Sequence, residues 1–156
     1  MSSATEAGAA RPREAGLRDI LDAFLAARGR LEDNLESLAK RNGLCGSQIL
    51  LVLDVLAHPG TGLTELCGRT GLKKSLASKQ VDALVGKGLL ARTGVEGDRR
   101  ALALTVDSAK LEAGFCAEAG LRSIFPGWSE EAAEAGSLDS VLASLGELSR
   151  LLDPAP

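Results

Sequence analysis

The chain has 156 residues, 45% hydrophobic and 25% charged, with a formal net charge of −3. That is ordinary composition for one globular domain, with or without an added oligomerisation element. Aromatic residues are only 3%, with no Tyr, so the core must be built from Leu, Val and Ala, and stacking of single-stranded bases on exposed aromatic platforms is argued against.

Residues 1–13 are rich in Ala, Ser and Gly, lack the apolar segment of a secretory signal, and read as a disordered tail. From Glu14 to about Arg41, Leu17, Leu21, Phe24, Leu31, Leu35 and Leu38 recur in three- and four-residue steps with Arg28 filling the gap. This predicts a long helix with a narrow heptad-like seam, interrupted at Arg28 and Gly29. Gly43 and Gly46 punctuate, and Ser47 is the expected N-cap of a helix over Gln48 to Ala57. That helix is apolar almost all round, from Ile49 to Leu56, and so belongs at the domain centre. His58-Pro59-Gly60 ends it.

Leu63 to Thr70 predicts a short helix capped by Thr64, and Gly71 a sharp turn in left-handed conformation. Leu72 to Lys87 follows as a second helix. Leu72, Leu76, Ala77, Val81, Leu84 and Val85 fall on or near one face; Lys73, Lys74, Ser75, Ser78 and Lys79 lie towards the other. After Gly88, Leu89 to Thr93 and Ala101 to Thr105 read as short strands around a charged, Gly-containing tip. Asp107 to Phe125 reads as helix, Pro126-Gly127 breaks it, and Ser129 caps a last helical region with the seam Leu138, Val141, Leu145, Leu148 and Leu152. The two terminal seams are expected to pack together across a two-fold dimer interface. The expected organisation is a tail at 1–13, a dimerisation helix at 14–43, a DNA-binding region at 44–106 and C-terminal dimerisation helices at 107–156.

Helix, tight turn, helix and hairpin in this order make a winged helix-turn-helix. Between Arg69 and Arg100 eight basic residues face three acidic ones, a local charge of +5 inside an acidic chain. A basic strip on an acidic body is the footprint of a polyanion-binding face. Lysines alone would pass as a solvated surface, but these follow a Gly turn and precede a basic hairpin tip. Ser75 and Ser78 are short donors that reach base edges or phosphates. Arg100, at the hairpin tip, has the guanidinium that a narrow A·T-rich minor groove attracts, and Asp98 can hold a neighbouring arginine in a bidentate pair.

Leu44-Cys45-Gly46-Ser47-Gln48, Leu63-Thr64-Glu65-Leu66 through Thr70-Gly71-Leu72, Ala77 to Leu90, and Asp98-Arg99-Arg100 before Leu102-Ala103-Leu104-Thr105 together resemble the MarR family of bacterial transcriptional regulators. The resemblance implies a mainly α fold with a β-hairpin wing, and a cytoplasmic homodimer on a double-stranded, pseudo-palindromic DNA operator. The second of the two helices would lie in the major groove and the wing arginine in the minor groove. Lys73, Lys74, Ser75, Ser78, Lys79, Asp98, Arg99 and Arg100 are the residues expected to contact DNA. The resemblance also implies release by a small-molecule effector or by thiol oxidation, and repression as the usual sign of regulation. The chain departs from the family pattern at Lys73, Leu76, Gln80 and Asp107-Ser108-Ala109, so a winged-helix adaptor or antagonist acting through protein contacts is the alternative.

Three cysteines at wide spacing, Cys45, Cys67 and Cys116, make no disulfide framework and fit a reducing cytoplasm. Cys45, at a helix entrance, is the expected accessible thiol, whereas Cys67 reads as a small buried hydrophobe. Phe24 and Trp128 are the candidate aromatic lining of an effector site, with interface packing as their plainer role. No metal, cofactor or catalytic constellation is expected: His58 stands alone and no Cys/His pair has zinc spacing.

Overall fold

The computed structural model describes residues 12–95, 98–111, 117–134 and 136–154. It falls into two compact units, residues 1–124 and 125–156. In the first, α1 (Pro12–Arg41), α2 (Gly46–Ala57), α3 (Leu63–Thr70) and α4 (Lys74–Gly86) lead into an antiparallel hairpin, β1 (Leu90–Val95) and β2 (Asp98–Val106). A 3-10 turn at Ser108–Lys110 and α5 (Ala117–Ile124) complete it. The second unit holds α6 (Glu130–Glu134) and α7 (Ser137–Leu152). This is a mainly helical winged helix-turn-helix.

The core forms around α2, as its all-round apolar sequence requires: Ile49, Leu51, Val52 and Val55 are fully buried. Against them lie Leu38 and Ala39 of α1, Leu66 of α3, Val81 and Leu84 of α4, Leu104 of β2 and Ile124 of α5. Asn34 clasps α5 to α1 by donating its Nδ2 to the Ile124 carbonyl at 2.8 Å.

Helix starts differ from the sequence expectation for identifiable reasons. Pro12, with its preset φ and no N–H to satisfy, opens α1 ahead of the expected Glu14, so Pro12 and Arg13 are helix and not tail. Residues 1–11 lie outside the described residues. Cys45, not Ser47, caps α2. The Gln48 side chain reaches back to accept the Cys45 N–H at 3.2 Å, and Glu36 accepts the Gly46 N–H at 3.0 Å. Gly62, not Thr64, caps α3, with its N–H donated to the Glu65 carboxylate at 3.3 Å. Lys73 is the extended N-cap of α4, which therefore starts two residues after Leu72. At the starts of α2 and α3 the cap falls where an orphan N–H finds an acceptor.

The hairpin pairs Leu90 with Val106 through Gly94 with Leu102, then shifts register so that Val95 opposes Asp98. Both strands run further towards the tip than local propensity indicated. A third segment joins them: Leu104 donates to the Thr61 carbonyl at 2.9 Å and accepts from the Gly60 N–H at 2.8 Å. The helix expected from Asp107 begins instead as the 3-10 turn, with Asp107 Oδ1 accepting the Ala109 N–H; residues 112–116 lie outside the described residues. The last helical region is two helices, not one, because Gly136 takes φ +74° ahead of α7. Among the described residues no helix is long and apolar enough to cross a membrane.

Candidate nucleic-acid interface

The turn between α3 and α4 rests on Gly71, at φ +69°, whose N–H closes α3 on the Cys67 carbonyl at 2.9 Å. A side chain is strained in that left-handed conformation, so Gly is the residue that lets α4 leave at an angle. Ala77, Val81 and Leu84 of α4 are buried, and the rest of the helix is thereby rotated outwards. Lys73, Lys74, Ser75 and Lys79 are exposed and Ser78 is half-buried, so the five helical candidates do lie together around the first two turns of α4.

Two other cations of the strip, Arg69 and Arg92, are paired with carboxylates. Arg69 makes a bidentate pair with Asp54, Nε to Oδ1 at 2.9 Å and Nη2 to Oδ2 at 2.7 Å, and donates to the Thr61 hydroxyl at 2.6 Å. The hydrogen bond to Asp54 raises the Arg69 pKa, opposed by partial desolvation and helped by the attraction of Asp54 and Glu65. Arg69 is thus a clasp between α2, α3 and the strand-like residue Thr61, and not part of the exposed basic face. Arg92 is held by Asp82 at 2.5 Å, tying β1 to α4. Lys87 reaches the Gly43 carbonyl at 3.2 Å. Among the described residues, Lys73, Lys74 and Lys79 have no such partner.

At the wing, Asp98, Arg99 and Arg100 lie in β2 beside the register shift. Their side chains, and the Asp98–arginine pair expected from the sequence, lie outside the described residues.

Sequence reasoning missed two polar links, the Arg69–Asp54 clasp and one between α2 and α4. Gln48 is 8% exposed in an otherwise apolar setting and donates its Nε2 to Gln80 Oε1 at 3.0 Å. Gln80, a departure from the family pattern, therefore satisfies a buried amide and ties α4 to α2. A Gln inside an apolar helix was the available signal, since buried amides need partners. Asp54, interrupting the same helix, was the signal for the Arg69 clasp.

The effector and redox candidates gain less. Cys45 and Cys67 are both half-buried free thiols, so the expected contrast between an accessible and a buried cysteine is absent; Cys116 lies outside the described residues. Cys45 Sγ sits 3.4 Å from Ser47 Oγ. Phe24 is exposed on α1, and Trp128 is half-buried in the second unit. A cavity of about 110 Å³ lies under the hairpin, lined by Leu63, Val81, Arg92, Leu102 and Leu104. Among the described residues no His, Cys, Asp and Glu gather as metal ligands.

Fold and exposed helix together define a winged helix-turn-helix with a basic, outward-facing second helix. Residues 42–101 match the model of the MarR family. The chain is similar to the structure of reduced AbfR bound to DNA, with TM-score 0.64 and 20% identity over 91% of this chain and 99% of that one. A MarR transcriptional regulator from Methanosarcina mazei Go1 superposes with TM-score 0.63 at 16% identity, covering 83% of this chain and 96% of its own. A mutant of MarR from E. coli complexed with operator DNA gives TM-score 0.61 at 12% identity, over 83% and 95%. At such identities what is shared is the fold. No curated protein sequence matches the chain.

Proposed function

We propose that the chain is a homodimeric, sequence-specific DNA-binding transcriptional regulator that reads duplex DNA with α4 and the hairpin. The observation that carries this reading is the distribution of charge. Arg69 and Arg92 are neutralised by carboxylates, while Lys73, Lys74 and Lys79 stay exposed together on the outward first turns of α4. Cations left without partners around a helix start suit phosphate oxygens, with Ser75 and Ser78 between them as short donors. The solved DNA complexes of AbfR and E. coli MarR, which share the fold, support the same choice of partner. Leu17, Ile20, Leu21 and Phe24 of α1, and Val141, Leu142 and Leu145 of α7, are exposed apolar surface that a second copy would cover. Repression is the simplest action of such a dimer, because occupying an operator blocks other proteins from it.

Fluorescence anisotropy on a selected operator and on random duplex, at several salt concentrations, tests the reading. Lys79→Ala should weaken both complexes alike and lower the salt slope by about one for each lost phosphate contact. Arg100→Ala should cost about 1–3 kcal/mol on the operator, by analogy with a good base contact, and much less on random DNA. An unchanged ratio for Arg100→Ala leaves the hairpin as a mere turn.

Release by a small effector or by oxidation is the regulatory half of the proposal. For oxidation the position is Cys45, where a sulfenic acid would intrude on the cap of α2. Peroxide titration with mass mapping should find Cys45 modified ahead of Cys67 and Cys116; equal or greater modification elsewhere removes the thiol from the scheme. The second reading, an adaptor that acts through protein contacts, is favoured by the exposure of Leu76 on the same helix face. A gel-shift on the chain's own upstream region with excess nonspecific DNA separates the two.

A further inference from the structure

Leu76 is the exception on the face just described. It occupies the first turn of α4, beside Ser75 and one turn from Lys79, and it is 40% exposed where its neighbours are hydrophilic. It is not held there by packing: the core takes Ala77, Val81 and Leu84 from α4. Gln80, one turn on from Leu76, is bonded to the buried Gln48, which fixes the rotation of the helix about its axis. Leu76 is thus presented outwards at a set angle.

A leucine has no donor or acceptor, so it cannot read the hydrogen-bond pattern of a base edge, and phosphates do not attract it. The one apolar group that the bases present in the major groove is the C5-methyl of thymine. We propose that Leu76 is a specificity-determining residue that packs on a thymine methyl group in each half-site, discriminating T from C by burial instead of by hydrogen bonds. The lysines around it supply the sequence-independent hold, and Leu76 supplies selection at one position.

This inference rests on the DNA-binding reading, and the test keeps the two apart. Duplex selected from a random pool by the wild-type chain is resynthesised with each thymine replaced in turn by 2′-deoxyuridine, which removes only the methyl group. One thymine per half-site should weaken wild-type binding about fourfold when demethylated, the effect of withdrawing one buried carbon. Leu76→Ala should bind the parent duplex more weakly and be indifferent to that uridine, while Leu76→Met, which keeps an apolar reach, should remain sensitive. Leu76 is exposed, so these variants keep the fold, and circular dichroism checks it. If wild type selects a duplex but no uridine matters, or if Leu76→Ala keeps the same sensitivity, this inference is overturned alone. If no duplex is selected at all, the DNA-binding reading falls and takes it along.

Discussion

α2 and α7 are both rich in apolar residues, α2 almost all round and α7 along one stripe, and their surroundings are opposite. α2 carries Ile49, Leu51, Val52 and Val55 fully buried; α7 carries Leu138, Val141, Leu142, Leu145, Leu151 and Leu152 all exposed. The difference lies in the availability of partners as well as in how far round the helix the apolar residues run. α2 is ringed by α1, α3, α4 and the hairpin within one chain, whereas among the described residues the other helix in the compact unit of α7 is the five-residue α6. α1 repeats the contrast along its own length. Leu17, Leu21 and Phe24 are exposed, and Leu38 and Ala39, nearer α2, are buried. One apolar signal therefore marks two outcomes, a core inside the monomer and exposed surface that the proposed dimer would cover.

The contrast is most exposed to failure at α7. Replacing Leu145 and Leu148 together by Asp should abolish dimerisation, because each leucine withdrawn from an interface forfeits about 1.5–3 kcal/mol and the carboxylates would have to be buried unpaired. Light scattering that finds the unaltered chain monomeric at tens of micromolar breaks the comparison outright. At α2 the corresponding loss is conformational stability, with the association surface left intact. Leu51→Ala should cost about 2–5 kcal/mol in urea unfolding, through lost burial and the cavity left behind. A Leu51→Ala chain that light scattering finds monomeric, like the α7 variant, would merge the two classes.

The smallest effect sharpens the description of α2 itself, since that helix is not wholly apolar in its bonding. Gln80→Leu leaves the Gln48 Nε2 donor without its partner and should cost about 1–3 kcal/mol. Adding Gln48→Leu should recover part of that loss, because both polar ends are then gone. A double-mutant cycle showing no coupling between the two positions would mean that the 3.0 Å contact contributes nothing.

Most elements of the winged helix were legible because their signals are local. The spacing of apolar residues marks helix faces, and Gly71 and Gly88 sit at positive φ where the sequence needed helices to stop. The helical half of the candidate interface was legible for the same reason, since Lys73 to Lys79 lie within two turns of one helix. Caps were misplaced because their acceptors are not local alone: Gln48 reaches back to Cys45, and Glu36 arrives from α1, ten residues before Gly46. The clasp of Asp54 and Arg69 spans fifteen residues and the Gln48–Gln80 bond thirty-two, separations at which no periodicity carries information.

By itself, then, the sequence determined most of the helices and the hairpin, that Lys73, Lys74, Ser75 and Lys79 would face outwards around the start of α4 while Leu76 would not, and that more apolar surface existed than one small unit could hide; on Leu76 the fold decided otherwise. Only the tertiary structure decided which charges of the basic strip remain unpaired. Arg69 and Arg92 count as cations in the sequence, but folding delivers Asp54 and Asp82 to them and leaves the lysines of α4 without carboxylates. The reason is physical: periodicity follows from the geometry of one backbone segment, whereas a charge is neutralised only when another segment brings its opposite within a few ångströms.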